Sequence, residues 1–96
     1  MASVYILFSQ KLNKFYVGSC IDLEQRLSDH NNKIYSNSYT KITDDWALYF
    51  EIKDLGYNAS RKIERHIKSM KSKTYIENLK KYPEISLKLR SRFFET

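Results

Sequence analysis

Two tyrosines, an arginine and a histidine one helical turn apart, and a glutamate set among basic residues are the side chains here whose chemistry fits together: Tyr5, Tyr16, Arg26, His30 and Glu64. A phenol is a poor base in water, but a neighbouring cation favours its phenolate. A guanidinium offers a planar fork of N–H donors to phosphate oxygens. An imidazole can donate to a phosphate oxygen or position water. A carboxylate is a hard ligand for Mg²⁺ or Mn²⁺. Base, cation and carboxylate are what hydrolysis of a phosphodiester requires: a water to deprotonate, developing charge to hold and a leaving oxygen to stabilise. Four of these residues crowd the first third of the chain, and Arg26 and His30, four apart, share one helix face.

The elements that must position them follow from local pattern. Residues 3–8 (SVYILF) and 14–20 (KFYVGSC) are β-branched and aromatic, separated by a short polar segment, which predicts a β-hairpin carrying Tyr5 and Tyr16. The two phenols face one pocket only if the pairing register points both the same way, and register is not readable from sequence. Gly18 follows Tyr16 by two; a missing side chain there lets substrate or a second backbone approach closely, or marks a bulge.

Asp22 and Gln25 form a capping-box-like pair opening a helix over Leu23–Asn31, with Leu23 and Leu27 toward the core. Residues 31–45 are polar and without period, a long surface loop of the kind that is more often functional than idle. Residues 46–52 (WALYFEI) alternate Trp46, Leu48, Phe50 and Ile52 with Ala47, Tyr49 and Glu51, the period of a third strand. Ala59, Ile63, Ile67 and Met70 form the stripe of a second helix that is basic on its opposite side. Ile76 and Leu79 suggest a third helix ending before Pro83, and that proline can open a last one through Ile85, Leu89 and Phe93. The fold class expected is α+β: a small three-stranded antiparallel sheet flanked by helices, in the order β-β-α-β-α-α with an extra C-terminal helix.

Composition bounds the partners. A chain of 96 residues, 42% hydrophobic and 15% aromatic, is expected to form a single domain over residues 1–96. It has no apolar run approaching the ~20 residues of a membrane span and no N-terminal leader pattern, so a cytoplasmic location is expected. Cys20 is the only cysteine, which excludes an internal disulfide and a site built from several thiolates. The net charge of +6 favours a polyanionic partner. Residues 61–73 concentrate it in Arg61, Lys62, Arg65, Lys68, Lys71 and Lys73, with Glu64 the sole acid. Glu64 and Lys68, four apart, also make an ordinary helix ion pair worth a few tenths of a kcal/mol. Tyr35, Tyr39, Trp46, Tyr49 and Tyr57 could stack bases, although aromatic residues in a small domain usually serve its core or rim, and Trp46 is assigned to the sheet.

Ser3-Val4-Tyr5, then Tyr16-Val17-Gly18, then Arg26 and His30 in a helix and an acid in the helix after a third strand resemble the GIY-YIG nuclease superfamily. The likeness runs from Val4 to about Lys73 and is strongest to small stand-alone bacterial members similar to the N-terminal nuclease domain of the excision-repair incision subunit. It implies a divalent-metal-dependent endonuclease acting on DNA, RNA not being excluded, in repair or processing. Tyr5, Tyr16, Arg26, His30 and Glu64 would be catalytic, Glu64 the sole protein ligand of Mg²⁺ or Mn²⁺, and Gly18, Arg61, Lys62, Arg65 and Lys68 would contact nucleic acid. The resemblance implies that one tyrosine is the general base; we assign Tyr5, with Tyr16 orienting water or phosphate.

Two departures stand out. Serine and valine replace the first Gly-Ile, and Ser19 stands where the excision-repair relatives often carry a lysine, which removes a cation near the phenol. Larger relatives attach a separate recognition domain, for which 96 residues leave no room. Weak sequence specificity, set by DNA structure or by a protein partner, is therefore expected. The competing readings are a nucleic-acid-binding module without catalysis and a protein-interaction domain.

Overall fold

A computed structural model describes residues 1–31 and 43–93, the side chain of His30 excepted. Most of the polar segment expected as a loop, with Tyr35 and Tyr39, therefore lies outside the described residues. The chain runs β1 (Ala2–Ser9), β2 (Lys14–Cys20), α1 (Leu23–Asn31), β3 (Ala47–Leu55), α2 (Tyr57–Met70), α3 (Lys73–Lys81) and α4 (Pro83–Arg92). The strands form one antiparallel sheet in the order β2-β1-β3. The α+β class and the extra C-terminal helix are as the sequence predicts. Among the described residues no helix is long and apolar enough to cross a membrane.

Helices cover both faces of the sheet, which explains why central β1 reads as an unbroken apolar run. Val4 and Ile6 pack with Val17, Ile52 and Leu55 against Ile63 and Ile67 of α2, Ile76 and Leu79 of α3 and Leu89 of α4. On the other face Tyr5, Leu7, Cys20 and Trp46 form a second cluster, closed by Tyr16 and by Leu23 and Leu27 of α1. The two helix groups thus approach edge strand β2 from opposite sides.

Strand β3 departs from simple alternation. Ile6 pairs with Phe50 but the next residue, Leu7, pairs with Leu48, so Tyr49 is an extra residue in the ladder. Such a bulge moves the following side chains to the other face. Trp46 consequently joins the Tyr5 cluster while Phe50 and Ile52 join the α2 side, and Leu48 is left 45% exposed.

Local chemistry starts and stops the helices. Asp22 Oδ1 accepts from the Gln25 N–H at 3.1 Å, the first half of the expected capping box. The other half is not made, because the Gln25 amide instead donates to Asp29 Oδ1 at 2.9 Å. At the far end of α1 the Asn31 amide acts as a strand partner for Trp46: its Nδ2 donates to the Trp46 carbonyl at 2.9 Å and its Oδ1 accepts from the Trp46 N–H at 2.8 Å. Ser72 caps α3 by accepting from Tyr75 N–H at 3.1 Å, and Pro83 sits in the first turn of α4, where its missing donor costs nothing.

The β1–β2 turn is fastened to the start of β3. Asp45 accepts from Ser9 Oγ at 2.5 Å, from Thr43 Oγ at 2.6 Å and from the Lys11 N–H at 3.0 Å. These donors, Ser9 first, hold its carboxyl well below the usual carboxylate range.

Candidate active site

Pairing register decides whether the tyrosines meet. Tyr5 lies opposite Gly18 and Leu7 opposite Tyr16, so Tyr5 and Tyr16 are diagonal neighbours on one face, their ring centroids 6.4 Å apart. Gly18 makes this possible. A Cβ at that position would stand 2.5 Å from Tyr5 Cζ and closer still to the hydroxyl. The space that a glycine frees is therefore filled by the Tyr5 phenol, where the sequence suggested an approach for substrate.

Tyr5 is 2% exposed. Burial raises its pKa far above that of an ordinary phenol, and Tyr16 adds to the rise; Arg26 opposes it and is outweighed, while Cys20 and Glu64 raise it further. Burial thus favours the neutral phenol at Tyr5. Cys20 is likewise buried, its thiol pushed up by desolvation, with Ser3 Oγ at 3.8 Å from its sulfur.

Arg26 belongs to the second turn of α1, its N–H bonded to the Asp22 carbonyl at 3.1 Å. With Ser19, Tyr57 and Ser60 it lines a cavity of about 360 Å³. His30 falls in the last turn of α1, its side chain outside the described residues.

Glu64 reaches the same strand edge from the other side of the sheet. It follows Ile63, which anchors α2 in the core, and its carboxylate is held at both oxygens: Ser19 Oγ donates to Oε1 at 2.5 Å and Lys68 Nζ to Oε2 at 2.7 Å. Lys68 Nζ also stands 5.7 Å from the centre of the Tyr16 ring. A cation thus lies over this ring from α2. Ser19, Arg61, Glu64, Arg65 and Lys68 line a second cavity of about 310 Å³ that adjoins the first at Ser19.

Among the basic residues singled out in the sequence, the fold gathers Arg61, Arg65 and Lys68 around Glu64. Lys62 points elsewhere, to a depression it shares with Arg65, His66, Ser69 and Phe93. His66 packs between Tyr75 and Phe93 at centroid distances of 6.2 and 5.9 Å. No three His, Cys, Asp or Glu side chains come together among the described residues.

Sequence reasoning missed one of the two partners of Glu64, Ser19. The Lys68 contact was visible in the i, i+4 spacing, but Ser19 lies 45 residues away and carried no signal beyond its position after Gly18.

The GIY-YIG catalytic domain family matches residues 1–82. The chain belongs to the GIY-YIG nuclease family. Its paired tyrosines, α1 arginine and α2 glutamate all lie within the matched residues, on β1, β2, α1 and α2. No curated protein and no solved structure is significantly similar to this GIY-YIG chain.

Proposed function

We propose that this GIY-YIG domain is a divalent-metal-dependent endonuclease that hydrolyses DNA phosphodiester bonds with weak sequence specificity, in DNA repair or processing. The observation that supports it best is the meeting of two half-sites at the edge of β2. Phenols and an arginine arrive from one face of the sheet, and a carboxylate among basic side chains arrives from the other.

The donor set fits a hard divalent ion. Glu64 is a single carboxylate lining an open cavity, and Mg²⁺ commonly takes one or two carboxylates and completes its shell with water and substrate oxygens. Such an ion, bound at Glu64, would supply Lewis-acid stabilisation of the charge on phosphorus and on the leaving oxygen. Ser19 holds the carboxylate in place, and Arg26, Arg61 and Arg65 hold the phosphate. Glu64 Oε2, which accepts from Lys68 Nζ at 2.7 Å, is the oxygen for which such an ion would compete with Lys68, and Lys68 lies beside Tyr16.

For the tyrosines, burial of Tyr5 supports an exchange of the roles assigned from sequence. Tyr5 keeps its proton and orients water or phosphate by hydrogen bonding; half-buried Tyr16, acting as its phenolate beside the Lys68 ammonium, accepts the proton of the attacking water and returns to the phenol. His30, a residue of α1, keeps the role that the family resemblance implies, toward phosphate or water.

Incubation with supercoiled, branched and single-stranded DNA in Mg²⁺ or Mn²⁺ tests the reading. Nicking that vanishes with Glu64→Gln and with EDTA supports it. Binding with no nicking on any substrate would favour the catalytically silent module, a reading that the Lys68 ammonium already on Glu64 keeps in play.

A further inference from the structure

Tyr57 stands where packing does not need it. Its neighbours Ala59 and Ser60 are buried, whereas Tyr57 itself is 58% exposed, a poor use of a large aromatic ring if burial were its purpose. Its orientation is held by a cation. Arg61 Nη1 donates to the Tyr57 hydroxyl at 2.8 Å, and the guanidinium carbon lies 5.5 Å from the ring centroid. The ring lines the cavity that holds Arg26 and Ser19, while Arg61, its partner, lines the adjoining cavity that holds Glu64.

Tyr57 and Glu64 are seven residues apart on α2, two turns on nearly the same face and about 10 Å along the axis. That is roughly the reach from a phosphate to the base of a nucleotide beside it. A base stacks on any exposed aromatic face, and an adjacent guanidinium reinforces the contact without reading sequence. In a duplex each base is already stacked and paired, and must be drawn out before it can lie on such a ring.

We propose that Tyr57 is a stacking platform for an unpaired base next to the phosphate held near Glu64, so that the substrate class is single-stranded or locally opened nucleic acid. The inference rests on the nuclease reading above and gives it a substrate preference. Aromatic exposure, the Arg61 brace and the position between the two cavities carry it jointly.

The test is binding in EDTA, where cleavage does not enter. A labelled short oligonucleotide, alone and annealed to its complement, is titrated with the parent chain, Tyr57→Ala and Tyr57→Phe, with circular dichroism to confirm that each variant is folded. Tyr57→Ala should weaken single-strand binding by about tenfold and change duplex binding by less than about twofold, with Tyr57→Phe close to the parent. Equal losses on both ligands, no loss on either, or a Tyr57→Phe as weak as Tyr57→Ala would overturn the proposal while leaving the nuclease reading intact. A parent chain that binds neither ligand would overturn both.

Discussion

Ser19 donates its hydroxyl to the Glu64 carboxylate at 2.5 Å, a bond that joins edge strand β2 to helix α2. It fixes the Glu64 carboxylate from a strand that also carries Tyr16. The second partner, Lys68, is bound at a similar distance but from an exposed position, its side chain 48% accessible against 22% for Glu64.

Burial decides which of these bonds matters for stability. Ser19→Ala removes a charge-assisted bond from a half-buried carboxylate and should cost about 1 to 2 kcal/mol. Lys68→Met removes a solvated i, i+4 pair and should cost less than about 0.5 kcal/mol. Urea unfolding of the two variants checks the order, and a larger loss for Lys68→Met would refute it. Activity should rank differently, since Lys68→Met strips the cation from Tyr16 and is expected to lower cleavage by about tenfold or more.

Gly18 is required by its neighbour's ring. Gly18→Ala places a methyl group into the Tyr5 phenol and should destabilise the domain by about 1 to 3 kcal/mol. A double variant with Tyr5→Leu should show less than the sum of the two single losses, because the shortened side chain vacates the space. Full additivity in thermal unfolding would mean that the two residues are not in conflict.

The tyrosines should separate in alkali. The folded chain keeps the Tyr5 proton that an unfolded chain releases near pH 10, so stability is retained below that pH and falls as pH rises above it. Tyr5→Phe should flatten this alkaline limb. In cleavage assays Tyr16→Phe should abolish nicking, and Tyr5→Phe should lower it while leaving residual nicking. The reverse pattern would restore Tyr5 as the base.

Acid should act through Asp45. Its folded carboxyl titrates below the usual range, so its contribution is complete above about pH 4 and is lost as pH falls further. Asp45→Asn should show a shallower loss of stability between pH 5 and the acid limit, in the range of about pH 2 to 5. An unchanged acid limb would place that sensitivity on other carboxylates.

How much of this was legible follows the range of the interactions. The hairpin strands, α1 and the stripe of α2 are local patterns, and Asp22 and Pro83 mark helix starts by chemistry of their own. The site residues came from motif order, and the fold brings Tyr5, Tyr16, Arg26 and Glu64 toward one strand edge. What could not be read is register and distance. The facing of Tyr5 and Tyr16 depends on which residue lies opposite Gly18, and the bulge at Tyr49 sends Trp46 and Ile52 to different faces despite their regular spacing. The Ser19–Glu64 bond spans 45 residues, beyond any periodic signal. Tyr57 looked like rim in the sequence because exposure belongs to packing alone.

The Asn31 amide, which exchanges two hydrogen bonds with the backbone of Trp46, makes α1 and β3 behave as one body at that point. Two hydrogen bonds from one side chain to one backbone unit fix both the distance and the orientation of the helix end against the strand, as the paired bonds of an antiparallel ladder would.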